Sequence, residues 1–96
     1  MLTDKEYAIK IYCVVFRTLT DEGDADIEGI FEAISSLRER EQFALESYYR
    51  NGLTYKKTGE IMGVSLQRVR AIVINARLKL RREPKLTMMS KSRQQK

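Results

Sequence analysis

Histidine is absent from this chain of 96 residues, and cysteine occurs once, at Cys13. Without histidine, neither a Ser-His nor a Cys-His catalytic pair can form, and a zinc site built from cysteine and histidine is impossible. A single cysteine excludes a disulfide within the chain and is typical of a protein from a reducing cytoplasm. We therefore expect a cytoplasmic protein that is not an enzyme and needs no metal or cofactor.

Long apolar runs are also lacking. No run approaches the roughly 18 residues that a membrane-spanning helix needs. The segment Met1 to Glu6 has no basic cluster, so it does not resemble a signal peptide. Hydrophobic residues make up 43% of the chain and charged residues 32%, which is typical of a folded domain and not of a disordered one. We expect one small domain without membrane contact.

Charge is distributed unevenly along the chain, which carries a formal net charge of +5. Residues 1–37 hold three basic and eight acidic side chains, whereas residues 38–96 hold fifteen basic and five acidic ones. Such an asymmetry indicates that the C-terminal part contacts a polyanion. A solvated basic surface without a partner would give the same pattern, so charge alone leaves both interpretations open.

Apolar residues at helical spacing predict five helices and no strand, an all-α bundle with short connections. Two capping boxes are predicted, Thr3 with Glu6 and Ser36 with Glu39. Glu83-Pro84 ends the last helix, and the basic tail 85–96 has no periodicity, so we expect a single domain over 1–84 and a disordered tail. The predicted helices span 3–19, 25–35, 37–50, 55–62 and 66–82, and the acidic turn Asp21–Asp24 separates the first two.

Apolar positions also predict which side chains face the core. In the third helix these are Phe43, Ala44, Leu45 and Tyr48. In the last two helices the predicted inner face consists of Ile61, Val69, Ile72, Val73, Ala76 and Leu80.

The segment 54–70 has the form of a helix-turn-helix, two helices joined by a tight turn that contains glycine. Gly59 lets the second helix cross closely, and Gly63 permits the positive φ of the turn. Val64 fills the space between the helices, and Ser65 caps the second helix. The first exposed residues of that second helix are the ones that meet base edges in the major groove.

Five stretches carry a closer likeness: Leu-Arg-Glu-Arg-Glu at 37–41, Tyr-Tyr-Arg-Asn-Gly-Leu-Thr-Tyr at 48–55, Gly-Glu-Ile-Met-Gly-Val-Ser at 59–65, Arg-Val-Arg-Ala-Ile at 68–72 and Ala-Arg-Leu-Lys-Leu-Arg at 76–81. Together they resemble region 4 of the bacterial sigma-70 family over about 27–84, preceded by one extra N-terminal helix. The resemblance implies a helical domain without catalysis that binds the promoter's −35 element and the RNA polymerase flap. Nothing resembles region 2, so we do not expect this chain alone to act as a complete sigma factor.

Gln67 and Arg70 lie one turn apart on the exposed face of the fifth helix, where glutamine can pair with adenine and arginine with guanine. The predicted base-reading positions are Leu66, Gln67, Arg70 and Ala71. The family often has a basic residue in place of Leu66 and glutamine in place of Ala71, so both changes remove hydrogen-bonding groups from this face. The predicted phosphate contacts are Thr54, Lys56, Lys57, Ser65, Arg68, Arg77 and Arg81.

These residues predict a sequence-specific regulator that binds duplex DNA, with RNA polymerase or a sigma-like protein as a further partner. The apolar Leu66 and Ala71 leave open a protein-interaction module that docks on such a partner without reading DNA. The chain also resembles the LuxR-type helix-turn-helix regulators. That family typically has Thr-Val-Lys where this chain has Arg-Val-Arg, so it ranks second among the DNA-binding alternatives.

A second apolar stripe, Ala71, Ile74 and Leu78, lies on the fifth helix opposite its core face. A helix that is apolar on two sides is usually covered on both. We expect either that the extra N-terminal helix completes the core within the chain or that a homodimer forms through the stripe or through that helix.

Overall fold

The computed structural model describes residues 1–18 and 26–87, and within these ranges the chain forms helices and no strand. This confirms the predicted all-α class. Among the described helices, none combines the length and apolar character that crossing a membrane requires. A single helical turn at 84–87 follows the last long helix. The elements are α1 (Asp4–Phe16), α2 (Ile27–Ser35), α3 (Glu39–Leu45), which continues directly as a π-helix (Glu46–Arg50), α4 (Tyr55–Met62) and α5 (Leu66–Arg81).

The start of α1 is the predicted capping box. The Thr3 N–H donates to Glu6 Oε1 at 2.9 Å, and the Glu6 N–H donates to Thr3 Oγ1 at 3.2 Å. The helix ends at Phe16, earlier than the predicted residue 19, because Arg17 adopts a left-handed conformation with φ of 51°. The predicted acidic turn Asp21–Asp24 lies outside the described residues.

The start of α3 differs from the prediction. Ser36 does not cap this helix, because its backbone still belongs to the end of α2 and its hydroxyl donates to the Ala33 carbonyl at 2.6 Å. Arg38 is the N-cap residue instead, and its N–H donates to Glu41 Oε1 at 3.1 Å. Leu37 is buried between the two helices. The N-cap of α3 therefore lies at Arg38, two residues after the predicted Ser36.

Four α-helices contribute to a single core. The first helix is part of this core, because α1 contacts α2, α5 and the π-helix and buries its apolar face against them. The extra N-terminal helix therefore completes the core within the chain, and each large side chain buried in this way contributes roughly 1.5–3 kcal/mol. The largest fully buried side chains are Tyr12, Ile11, Ile30, Leu45, Leu80, Leu86, Val69, Val73 and Thr58.

Two predicted core residues face solvent. Phe43 is 43% exposed, because α3 turns Glu41, Ala44 and Leu45 inward and leaves Phe43 on the opposite side. Ile61 is 54% exposed, because α4 turns Thr58 and Gly59 inward and leaves Ile61 on the outer side of the helix. The remaining predicted inner positions of α5 are buried as expected, namely Val69, Ile72, Val73, Ala76 and Leu80.

The beginning of the predicted disordered tail is part of the fold. Leu86 is only 1% exposed and belongs to the core cluster. The neighbouring Lys85 forms an ion pair with Glu32 of α2, and the Thr87 hydroxyl donates to the Arg81 carbonyl at 3.0 Å. The structured domain therefore extends past the predicted boundary at residue 84 to at least residue 87. Residues 88–96 lie outside the described part of the chain.

Candidate nucleic-acid interface

The joint between α4 and α5 has the predicted geometry. Gly63 has φ of 74°, which L side chains rarely adopt, and it ends α4. The Val64 N–H donates to the Gly59 carbonyl at 2.9 Å, and Val64 itself packs against the core. A Cβ atom on Gly59 would lie 2.6 Å from the Val64 carbonyl oxygen, so only glycine allows this close crossing. These contacts hold the two helices in the helix-turn-helix arrangement.

Both helices of this motif begin with the predicted hydroxyl caps. Thr54 Oγ1 accepts the Lys57 N–H at 3.0 Å, and Ser65 Oγ accepts the Arg68 N–H at 3.1 Å. Each cap leaves the preceding N–H groups of the first turn directed outward, at the positive end of the helix dipole. The start of each helix is therefore suited to a phosphate group.

The four predicted base-reading residues share the exposed side of the first half of α5. Leu66, Gln67, Arg70 and Ala71 are all exposed, whereas Val69 between them is fully buried. The buried Val69 anchors this turn of the helix against the core. The exposed turn thus carries the Gln67 amide and the Arg70 guanidinium, with the apolar side chains of the other two residues beside them. Packing against the core fixes the rotation of α5 about its own axis.

The predicted phosphate-contacting residues fall into two groups. Thr54, Lys56, Lys57, Ser65 and Arg68 are exposed and lie at the starts of α4 and α5. The only ion pair found among them in the described residues joins Lys57 Nζ to Glu60 at 3.7 Å, and such an exposed pair is weak enough to yield to a phosphate.

Arg77 and Arg81 form the second group, farther along α5. Their contacts in the structure are with other parts of the protein. An Arg81 guanidinium nitrogen donates to the Val15 carbonyl at 3.2 Å, at the end of α1. Burial raises the pKa of Tyr49, and Arg77 beside its hydroxyl opposes that rise. A phosphate contact by either arginine stays a prediction.

A basic groove between α3 and α5 was missed by sequence reasoning. It is lined by the side chains of Arg38, Arg40, Arg68, Lys79 and Arg82, together with Glu41 and several uncharged residues. The sequence alone gives Arg38 and Arg40 no role beyond the family likeness of the stretch 37–41. The sequence does contain part of the signal, because the spacing of Arg68, Lys79 and Arg82 places them on one side of a helix. Their proximity to the arginines of α3 depends on how the two helices pack.

Glu41 lies in the wall of this groove and neutralises one of its cations. Its carboxylate accepts from Lys79 Nζ, with oxygens at 3.0 and 2.8 Å, and from the Arg38 N–H. Burial raises the pKa of Glu41, but the Lys79 hydrogen bond, the Arg38 N–H and the two positive charges outweigh it and lower the pKa below its usual value. The arginines in the groove thus remain as the cations available to an anion.

An all-α domain with a capped helix-turn-helix, an exposed polar face at the start of its second helix and flanking basic residues is a DNA-binding domain of the helix-turn-helix class. The family model for sigma-70 region 4 matches residues 33–82, which is just over half of the chain, and the chain belongs to this family. The match begins inside α2, so α1 lies outside it. Searches of curated proteins and of solved structures gave no significant match.

Proposed function

We propose that this protein binds promoter-type duplex DNA sequence-specifically, with the helix at 66–82 in the major groove, and that it regulates transcription. The observation that carries the proposal is the exposed face formed by Gln67 and Arg70 beside the two capped helix starts. Family membership supports the same function, because region 4 is a DNA-binding helix-turn-helix of sigma factors.

Base reading would depend on two side chains, Arg70 and Gln67. Arg70 can donate two hydrogen bonds to guanine, and Gln67 can exchange two with adenine, each pairing contributing roughly 1–3 kcal/mol of discrimination. Leu66 and Ala71 offer only apolar contact, which suits the methyl group of thymine. The expected site is therefore short, with a guanine and an adenine as its best-defined positions.

Backbone contacts would set the position of the protein on the duplex. The starts of α4 and α5 would each bind a phosphate with help from Lys56, Lys57 and Arg68. The groove that contains Arg38, Arg40 and Arg68 would extend these backbone contacts along the α3 side of α5. Such contacts beside the reading face would hold a helix in the major groove.

The proposal is tested by selecting bound sequences from a random duplex pool at low and at high salt. We expect an enriched motif. On that motif, Arg70→Ala should weaken binding by roughly 1–3 kcal/mol and relax the preference at one base pair. Lys10→Ala, which removes an exposed cation from α1 far along the sequence from the motif, serves as the control and should bind like the wild type. Salt-sensitive binding without any motif would overturn sequence-specific recognition.

A second candidate function is docking on RNA polymerase or on a sigma-like partner without specific DNA reading. It is favoured by the exposed Leu66, an apolar side chain at a position where DNA-binding relatives often have a basic one. Pull-down with purified polymerase core, in parallel with the DNA titration, separates the two. Capture by polymerase with no DNA binding at low salt would favour the docking function.

A further inference from the structure

The exposed side of α2 is acidic. The segment 26–36, which contains this helix, has three acidic side chains and no basic one. Phe31 is only partly buried against the core, so an aromatic ring lies among the carboxylates. Four residues of α2 and its C-terminal cap line one open groove, which we call the acidic face of α2: Glu28, Phe31, Glu32, Ser35 and Ser36.

A cation from the C-terminal part of the chain already lies on this helix. Lys85 forms an ion pair with Glu32. Its aliphatic stem passes so close to α2 that a Cβ atom on Gly29 would lie 3.2 Å from the Lys85 Cδ. The Glu32 carboxylate raises the pKa of Lys85, and Asp26 contributes to the same shift. A single lysine therefore offsets only part of the negative charge of α2.

The described chain ends beside the acidic face. A second groove adjoins it and is lined by Glu83 and Lys85 together with Ala33, Glu32 and Ser36, of which the last two also line the acidic face. Thr87, two positions after Lys85, is the last described residue. The nine residues that follow, 88–96, contain three basic side chains and no acidic one.

Other occupants fit this face less well. Its carboxylates repel the phosphates of nucleic acid. A basic segment of a second molecule would have a suitable charge, but it would have to bind from dilute solution. A segment joined to the same chain by a short linker has an effective concentration in the millimolar range, so a weak contact is enough to hold it.

We propose that the acidic face of α2 binds the chain's own basic segment 88–96 and thereby withholds the cations of that segment from DNA. The two methionines at 88 and 89 would cover the Phe31 ring, and Lys91 and Arg93 would pair with the carboxylates. The withholding of cations rests on the proposed DNA-binding function, whereas the docking itself does not.

The dimensions allow this contact. The acidic face extends from Glu28 to Ser35, about 10 Å along the helix axis. The four residues from Thr87 to Lys91 can reach up to about 14 Å when they are extended. The family match covers 33–82, so Glu28, Phe31 and the basic segment all lie outside it. The contact is therefore inferred for this chain and not for region 4 in general.

The strength of the contact sets the size of its effect. Exposed ion pairs are individually weak, so the docked and released forms should have comparable populations. If about two-thirds of the molecules are docked, the apparent affinity for DNA falls about threefold relative to a fully released segment. Salt screens the ion pairs and should release the segment.

Docking is tested on the full chain without DNA, by paramagnetic relaxation in nuclear magnetic resonance. A nitroxide spin label is attached to the variant Ser92→Cys, in which Cys13→Ser removes the native thiol. We expect the amide signals of α2 to be broadened more than those of α4 and α5. Replacing the three cations of the segment by glutamine, or adding salt, should remove this preference. Circular dichroism checks that each variant is folded.

Two results would overturn docking. One is broadening of equal extent over all helices, and the other is broadening centred on α4 and α5. A sample that mixes spin-labelled chains with isotope-labelled chains lacking the spin label identifies the source of the segment. Broadening of α2 that is as strong in this mixture assigns the face to a second copy and overturns the proposal as well.

The effect on DNA is measured by titrating a random-sequence duplex. Glu28→Gln removes an exposed carboxylate of the face and should raise the affinity about twofold, because it releases part of the docked population. The same substitution should have almost no effect when the three cations of the segment are already glutamines. Glu39→Gln, an exposed carboxylate of α3, controls for net charge and should change the affinity less.

The two parts of the proposal fail separately. An equal gain from Glu28→Gln with the wild-type segment and with the glutamine segment would mean that net charge acts, and the withholding of cations would be wrong. If the wild type binds no duplex at low salt, the proposed DNA function fails, while the relaxation measurement still decides whether the segment docks on α2.

Discussion

Gly59 shows how one residue controls the relation between two helices. Its missing side chain is what lets α4 lie against the turn that begins α5. Gly59→Ala should therefore destabilise the protein by roughly 2 kcal/mol, because the backbone at Val64 must shift to relieve the contact. Urea denaturation measures the change.

The control is Glu60→Ala, at an exposed neighbouring position of the same helix, which should change the stability by less than about 0.5 kcal/mol. Equal effects of the two substitutions would contradict a steric role for Gly59. Because the reading face depends on this joint, Gly59→Ala should also weaken DNA binding.

Glu41 makes the stability depend on pH. Its pKa in the folded chain lies below its ordinary value of 4.5, since its bonds to Lys79 and Arg38 outweigh burial. The stabilisation is complete above about pH 4.5 and is lost as the pH falls through the lower folded pKa. Glu41→Gln should lower the free energy of unfolding by about 1 kcal/mol at neutral pH. The variant should also lose less stability than the wild type on acidification.

Denaturation midpoints between neutral and acidic pH test this prediction. Glu39→Gln, an exposed carboxylate two residues away on α3, is the matched control. The assignment fails if Glu41→Gln and the wild type lose stability in parallel on acidification.

At the scale of the elements, the π-helix Glu46–Arg50 differs most from expectation, because the sequence predicts one continuous helix over 37–50. Its wider turn places Tyr48 in a stack with Tyr55 of α4, with ring centres 4.3 Å apart, while Tyr49 meets Tyr48 edge-on at 4.9 Å. The same turn directs Arg50 towards the N-terminus. A helix with regular α geometry would rotate these side chains to other directions, so the π-helix links α3, α4 and α1.

Arg50 holds the start of α1 on this element. Its guanidinium lies 2.7 Å from Asp4, donates to the Leu2 carbonyl at 3.0 Å and lies over the Tyr7 ring at 5.7 Å. Arg50→Ala should lower the free energy of unfolding by about 1.5 kcal/mol. The exposed ion pair contributes little of this, and the partly buried hydrogen bond and the ring contact contribute most.

Hydrogen exchange locates the effect, because the amides of α1 should exchange faster while those of α5 change less. Arg40→Ala, an exposed arginine on α3, should leave α1 unchanged. Uniform acceleration over all helices would mean that Arg50 supports the whole fold and not the attachment of α1.

At the scale of the whole molecule, positive charge surrounds the helix-turn-helix. If four to six phosphates are contacted, the logarithm of affinity should fall against the logarithm of salt concentration with a slope of roughly −4 to −5. Arg68→Gln should reduce the steepness by about 1, because it removes one phosphate contact. Filter binding or anisotropy over a salt series gives the slope. An equal flattening by Lys10→Gln would show that net charge, and not a particular contact, drives binding.

The caps and the turn of the helix-turn-helix could be predicted, because their signals are local. The caps Thr54 and Ser65 bond to N–H groups three residues away, and Gly63 ends α4 through its own φ. The start of α3 could not be predicted in the same way. Ser36 and Arg38 compete for the cap position, and the burial of Leu37 decides between them.

Sequence by itself thus determined the all-α class, the limits of α4, the start of α5, the family and the side chains on the exposed turn of α5. These depend on interactions within about four residues. Only the tertiary structure decided the burial of Leu86, the outward direction of Ile61 and the meeting of Arg38 with Arg68 or of Arg17 with Arg81. The physical reason is that burial and side-chain proximity depend on the rotation and approach of helices far apart in the chain, which hydrophobic periodicity leaves free.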